Sequence, residues 1–349
     1  MRFVAVFAAA FCGTCWLAGR WLPFPEVENV TRKRAHLAAH GDDYDAIFIG
    51  SSRVEVQVVP AVFDARMAEL GFPIRSFNAG ISAMTPPEDA FFFDEITRGP
   101  HRRLRWVFVE VDYPRLNTNR QLWDGGRMTY WHDAERMHIM ARCFLETWRQ
   151  TPASPDHRTA GWFGRLETHL VPVTGFLEHV SGFLQRQTSL GRGAGLSAMR
   201  VKRKKQSPVV RENSVALEGW VAQAGSLEKT AREEYERTYA ERLTTPQTPT
   251  YDDPAAADAL RRLVKKITAI GATPVLVVSP TTRRTQFMPP EDLRDTLLLN
   301  FSDVHAFPEL FATGHRLDVE HLNADGAPYY SRLLAERLMA GMREKKPRP

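Results

Sequence analysis

A chain of 349 residues that is 43% apolar and 25% charged holds enough apolar surface for one large core or two modest ones, which excludes disorder throughout. Its 46 Lys and Arg against 41 Asp and Glu leave a net charge of +5, too small an excess to mark a nucleic-acid binder. Two of the three cysteines, Cys12 and Cys15, fall in the first segment, so Cys143 alone remains beyond it and neither an intrachain disulfide nor a cysteine zinc site is expected there.

In chain order, residues 3–19 carry no charge and are followed by Arg20 and Trp21, the pattern of an uncleaved membrane anchor over 1–22, with a cleavable signal peptide as the competing reading. Either reading places the bulk of the chain outside the cytoplasm, anchored in the first case and secreted in the second. Residues 23–44 read as a connector with a short helix in "VENVTRKRAHLAAH". From Asp45 short apolar runs alternate with helical stretches: "AIFIG" at 46–50, "AVFDARMAELG" at 61–71, "IRSFNAG" at 74–80, "PPEDAFFFDEITRG" at 86–99 and "RWVFVEVDY" at 105–113. Continuous apolar strands separated by helices predict a three-layer α/β fold, a parallel sheet flanked by helices.

That alternation stops between 114 and 250, which reads as a mainly helical central insertion. In "TGFLEHVSGFLQR", Phe176, Leu177, Val180, Phe183 and Leu184 share one helical face, expected to be core. Residues 189–208 have the Gly, Ser and basic content of a loop. The α/β grammar returns over 251–345: a helix opens at Asp253-Pro254 with a stripe of Leu260, Leu263, Val264, Ile267 and Ile270, a strand follows in "GATPVLVVSP", and a last helix spans 328–342.

An apolar strand that stops at Gly50-Ser51-Ser52-Arg53 delivers a hydroxyl to the end of a sheet, where α/β proteins place their sites; Ser52 is the candidate nucleophile. A serine needs an imidazole to take its proton and a carboxylate to orient that imidazole. His321 in "RLDVEHLNADGAPYY", with Asp318 three residues before it, supplies both from one turn. Gly80 in "FNAGISAMTPPE" offers a backbone N–H for an oxyanion beside that of Ser52, and Asn78 reads either as a turn residue or as a side-chain donor. Arg53 reads either as a substrate-binding cation or as a cap of its own helix. His132 and His138 lack the spacing of a zinc-protease helix. No metal or cofactor is expected.

"IFIGSSR", "FNAGISAMTPPE" and "DVEHLN", in this order with the strand "WVFVEVD" between the last two, resemble the blocks of the SGNH (GDSL-like) hydrolase superfamily. The likeness is to its membrane-anchored bacterial branch, which includes proteins similar to the teichoic-acid D-alanine transfer and alginate acetylation proteins. It covers 45–113 and about 255–345. The resemblance implies an SGNH/flavodoxin-like fold, Ser52 as nucleophile, Gly80 as an oxyanion glycine, and Asp318 and His321 as the other catalytic pair. It implies an extracytoplasmic serine esterase or O-acyltransferase acting on an acylated carbohydrate or another small acyl ester, with a membrane-bound acyltransferase as a partner and no nucleic acid; the alternative is a catalytically weak accessory protein. Ser51 stands where the family has aspartate, and "VEVDYPRLN" replaces Gly-x-Asn-Asp, leaving Asp112, or more distantly Asn117 and Asn119, in place of the oxyanion asparagine. Loss of one such donor typically removes ~3 kcal/mol of transition-state stabilisation.

Overall fold

The computed structural model describes residues 2–21, 27–84, 87–111, 126–150, 162–187, 216–251, 254–283 and 285–344. The first elements are α1 (Arg2–Trp21), α2 (Glu28–His40), β1 (Ala46–Ile49), α3 (Ser52–Gln57), α4 (Pro60–Glu69), β2 (Ser76–Asn78), α5 (Glu88–Ile96) and β3 (Trp106–Glu110). Then come α6 (Gly126–Trp131), α7 (Ala134–Gln150), α8 (Trp162–Gln187) and α9 (Lys229–Thr244). The chain continues through β4 (Thr248–Tyr251), α10 (Pro254–Ala269), β5 (Thr273–Val278), β6 (Thr285–Met288), β7 (Leu297–Asn300) and α11 (Gly326–Glu344). It divides into two compact units, one of residues 1–31, 114–207 and 253–256, the other of residues 32–113, 208–252 and 257–349. Residues 216–250, read from sequence as part of the insertion, thus cluster with the α/β unit.

The α/β unit is built on a five-stranded sheet in the order β2-β1-β3-β5-β7, every neighbouring pair parallel. β1 and β3 are buried along their whole lengths, as their unbroken apolar runs require when both faces are covered. Ala46, Phe48, Trp106, Phe108, Val275 and Val277 face one core with Phe63 and Met67 of α4 and Leu334 and Leu338 of α11. The alternate residues Ile47, Ile49, Val107, Val109 and Leu276 are equally buried and point to the other face. Phe48 and Phe108 stack at 4.3 Å across the β1–β3 register, with Phe63 edge-on to both. The strand order reverses direction at β1, so the crevice beyond the C-terminal ends of β1 and β3 is the topological switch point of the sheet. β7 and the two-stranded β4-β6 sheet were not foreseen.

The helical unit corrects two expectations. No helix among the described residues is long and apolar enough to cross a membrane. The uncharged run in α1 is short of the ~20 apolar residues a span needs, and Gly13 and Thr14 interrupt it. The membrane anchor therefore finds no support. In α8, Leu177 and Leu184 of the foreseen apolar stripe are more than half exposed, whereas Gly175, His179 and Gly182 are buried, the spacing of a face narrowed by glycines. α7 and α8 pack together, with Phe144 stacked on Phe176 at 4.8 Å. His132 is buried and pairs with Nδ1 of His179 at 2.8 Å, while burial pushes the His179 pKa down to about 4. Among the described residues no cluster of metal-ligating side chains is found. All three cysteines are free thiols.

Candidate active site

β1 ends at Ile49, and the chain turns through Gly50 and Ser51 directly into α3. A Cβ on Gly50 would lie 2.5 Å from Val54 Cγ2 and 2.6 Å from Glu110 Cβ, so only glycine permits this turn between two packed strands. Ser51 is the N-cap; its side chain accepts from the N–H of Arg53 at 3.2 Å. Ser52 opens the helix and, among the described residues, its own N–H has no hydrogen-bond partner, as expected of a first-turn amide. α3 is only six residues long because Val59 precedes Pro60, is held extended, and hands over to α4 with proline in its first turn.

Ser52 Oγ lies 2.7 Å from His321 Nε2. His321 Nδ1 lies 2.9 Å from both carboxylate oxygens of Asp318. An ionised carboxylate only accepts, so Nδ1 carries the proton and Nε2 is left to accept from the serine hydroxyl. Burial works to raise the Asp318 pKa, but hydrogen bonds from the His321 ring and from the N–H groups of Glu320 and His321 outweigh it and hold the carboxyl below its ordinary value. The loop carrying both residues is closed on itself: the N–H of Leu317 donates to the carbonyl of His321, and Arg316 bridges to Leu322. Arg316 is wholly buried, donates to the carbonyl of Val319 at 2.7 Å and lies over the Tyr235 ring. Asn323 then accepts from the N–H of Gly326 at 3.0 Å, starting α11.

Three other candidates sit elsewhere than expected. The N–H of Gly80 donates to Oδ1 of Asn78 at 3.0 Å, so it is not aimed at an oxyanion. A Cβ there would lie 2.4 Å from the N of Glu55; the glycine exists to let the loop lie against α3. Asn78 is fully buried, and its amide donates to the carbonyls of Val54 and Val58 at 2.7 Å each. It is a strut beneath α3, because a buried amide satisfied by backbone has nothing left for a substrate. Arg53 turns inward, its Nε 2.6 Å from Glu110 Oε1, and its guanidinium also approaches Glu320 at 3.7 Å. Its nearly buried charge is therefore spent on protein carboxylates rather than presented to substrate. In the 77–84 loop the N–H groups of Ala79, Ile81 and Met84 are bonded to Phe48, Gly50 and Ile81. Ala83, in the left-handed region at φ 56°, keeps an N–H with no partner among the described residues. Asp112, Asn117 and Asn119 lie outside the described residues.

Residues that sequence reading missed complete the frame. Glu110 stands at the end of β3, where it also accepts from the N–H of Ser51 at 2.7 Å and from Ser279 at 3.3 Å. Its position opposite β1 is the only signal, and that comes from pairing rather than from sequence. Lys33 of α2, fully buried, donates to the Gly80 carbonyl at 2.6 Å and lies 3.9 Å from Glu55; burial pulls its pKa down to about 8 against the pull of Glu55. Trp220 Nε1 donates to the carbonyl of Val56 at 2.8 Å, and Val221 to that of Glu55, so a strap before α9 closes over α3. In comparisons with known proteins, no family model, no curated protein and no solved structure matches this chain.

Proposed function

We propose that this chain is a serine-dependent acyl ester hydrolase or O-acyltransferase. The observation that carries the reading is the unbroken hydrogen-bonded line from Ser52 Oγ through His321 to Asp318 at the switch point of a parallel sheet. In this reading Ser52 Oγ forms a bond to the ester carbonyl carbon while His321 Nε2 takes the hydroxyl proton. The tetrahedral oxyanion is met by the N–H of Ser52, which has no other partner among the described residues. Collapse breaks the bond to the alcohol, which leaves with the proton from His321 and an acyl group on Ser52. Water or a sugar hydroxyl then gives its proton to His321 and bonds to the acyl carbon, the bond from that carbon to Ser52 Oγ breaks, and His321 returns the proton to Ser52 Oγ; which acceptor attacks separates hydrolysis from transfer.

The resemblance to SGNH proteins makes an acyl group on a cell-surface or secreted glycan the substrate class of this proposal, and an extracytoplasmic location goes with it. A second reading, an accessory protein that binds polymer or a membrane-bound acyltransferase, is favoured by one observation: both Gly80 and Asn78 are committed to the fold. A serine-directed fluorophosphonate probe separates the two. Covalent labelling that disappears in Ser52→Ala and in His321→Ala supports the enzyme, whereas folded wild-type protein that takes up no label refutes it in favour of the binder.

A further inference from the structure

A cavity of 740 Å³ lies beside β7, the edge strand, between the C-terminal ends of α9 and α11, and none of Ser52, Asp318 and His321 lines it. Its size is that of a small-ligand pocket. Arg242 lines it and is 6% exposed, yet its guanidinium makes one hydrogen bond, from Nη1 to the carbonyl of Thr245 at 2.6 Å. Its Nε is buried with no acceptor, and no carboxylate among the described residues comes within ion-pair distance. Arg337, exposed on α11, is the second cation of the lining; it lies 4.9 Å over the Phe307 ring and likewise has no carboxylate partner among the described residues.

Arg53, Arg66, Arg75, Arg102 and Arg105 of this unit all hold carboxylates. Arg316, wholly buried, shares with Arg242 the lack of an ion pair among the described residues, its Nε and Nη1 having no acceptor; Arg242 differs in lining this cavity. Asp303 acts on Arg242 electrostatically from beyond ion-pair distance, but burial outweighs it and pulls the guanidinium pKa down; a cation compensated this weakly is costly to bury, and an anion delivered to it offsets that cost. Two carboxylates also line the cavity. Asp303 is committed to the N–H groups of His305 and Ala306 through Oδ1, and Glu344 sits exposed at the end of α11. Asn300 Oδ1 accepts from Ser302, which leaves its amide N–H groups facing no partner among the described residues.

We propose that this cavity is a ligand site for an oxyanion, a carboxylate or a phosphate, borne on a hydroxyl-rich frame, with Arg242 and Arg337 as the anion's partners and the Asn300 amide N–H donating to a ligand hydroxyl oxygen. The site is separate from the serine site and stands whether or not that site is catalytic.

Titration calorimetry of the full chain with glucose 6-phosphate, glucuronate and glucose tests it. The expected result is saturable, salt-sensitive binding of one or both anions, at least tenfold tighter than glucose. Binding falls at least tenfold in Arg242→Gln and in Arg337→Gln, and is unchanged in Ser52→Ala. Preference for the phosphate or for the uronate identifies the source of the anion. Arg337 is exposed, so its variant keeps the test informative should Arg242→Gln not fold. No saturable binding of either anion, equal binding of glucose, or full binding by Arg337→Gln overturns the proposal.

Discussion

The nucleophile turn and the cavity beside β7 each contain a nearly buried arginine, and the two are treated oppositely. Around Arg53 the charged side chains and most of the backbone have protein partners: Glu110 takes the guanidinium and the Ser51 N–H, and Asn78 takes the Gly80 N–H. Around Arg242 the cation has been buried with one carbonyl as its hydrogen-bond partner and Asp303 beyond ion-pair distance. A closed network fixes geometry, which a reacting hydroxyl needs; an open one keeps capacity for something that arrives from outside.

The largest effect expected is on chemistry at the closed region. Ser52→Ala or His321→Ala lowers hydrolysis of a p-nitrophenyl acyl ester at least ~10³-fold while the thermal melt is unchanged; a loss under tenfold contradicts the assigned roles. Next is the ion pair itself. Arg53→Met strands Glu110 and costs about 3–5 kcal/mol in denaturant unfolding, and adding Glu110→Gln recovers a large part of it. A Lys33 experiment reads the same frame by pH. Its folded-state pKa, about 8, lies below the unfolded value of 10.5, so the cost of burying its charge is full below pH 8 and is relieved as pH rises towards 10.5. Wild type should therefore gain about 1.4 kcal/mol of stability per pH unit between pH 8 and 10 relative to Lys33→Met; parallel curves for the two proteins would show that Lys33 does not titrate there.

The sharpest contrast is a small number. Arg242→Met, the same change at similar burial, loses no ion pair and relieves a poorly compensated buried charge, so it should destabilise by no more than about 1 kcal/mol and is expected to be neutral or stabilising. A cost as large as that of Arg53→Met would mean that the two regions are built alike. Smallest of all, Ala83→Gly relieves a left-handed alanine and should stabilise by up to about 1 kcal/mol, measured by the midpoint of chemical unfolding.

What could be read in advance followed from how far each signal extends along the chain. β1, β2, β3 and β5 were legible because buried parallel strands are written as local apolar runs, and Ser52, Asp318 and His321 because each sits in a short motif at a strand or helix boundary. β7 was not, since "LLLN" is too short to stand out, and Glu110 was not, because its role exists only once β3 lies against β1. Gly80 shows the converse error: the glycine is visible in sequence, but not the amide two residues earlier that occupies its N–H. Arg53 was misjudged for the same reason, its partner being 57 positions away.

Ser52 and His321 are separated by 269 positions. During synthesis the alcohol precedes its imidazole by that whole stretch, so a nascent chain, or any fragment ending before His321, carries only an ordinary serine. Closing so long a loop also ties the site to late folding events. The reactivity proposed for Ser52 is in this way conditional on a chain folded through His321.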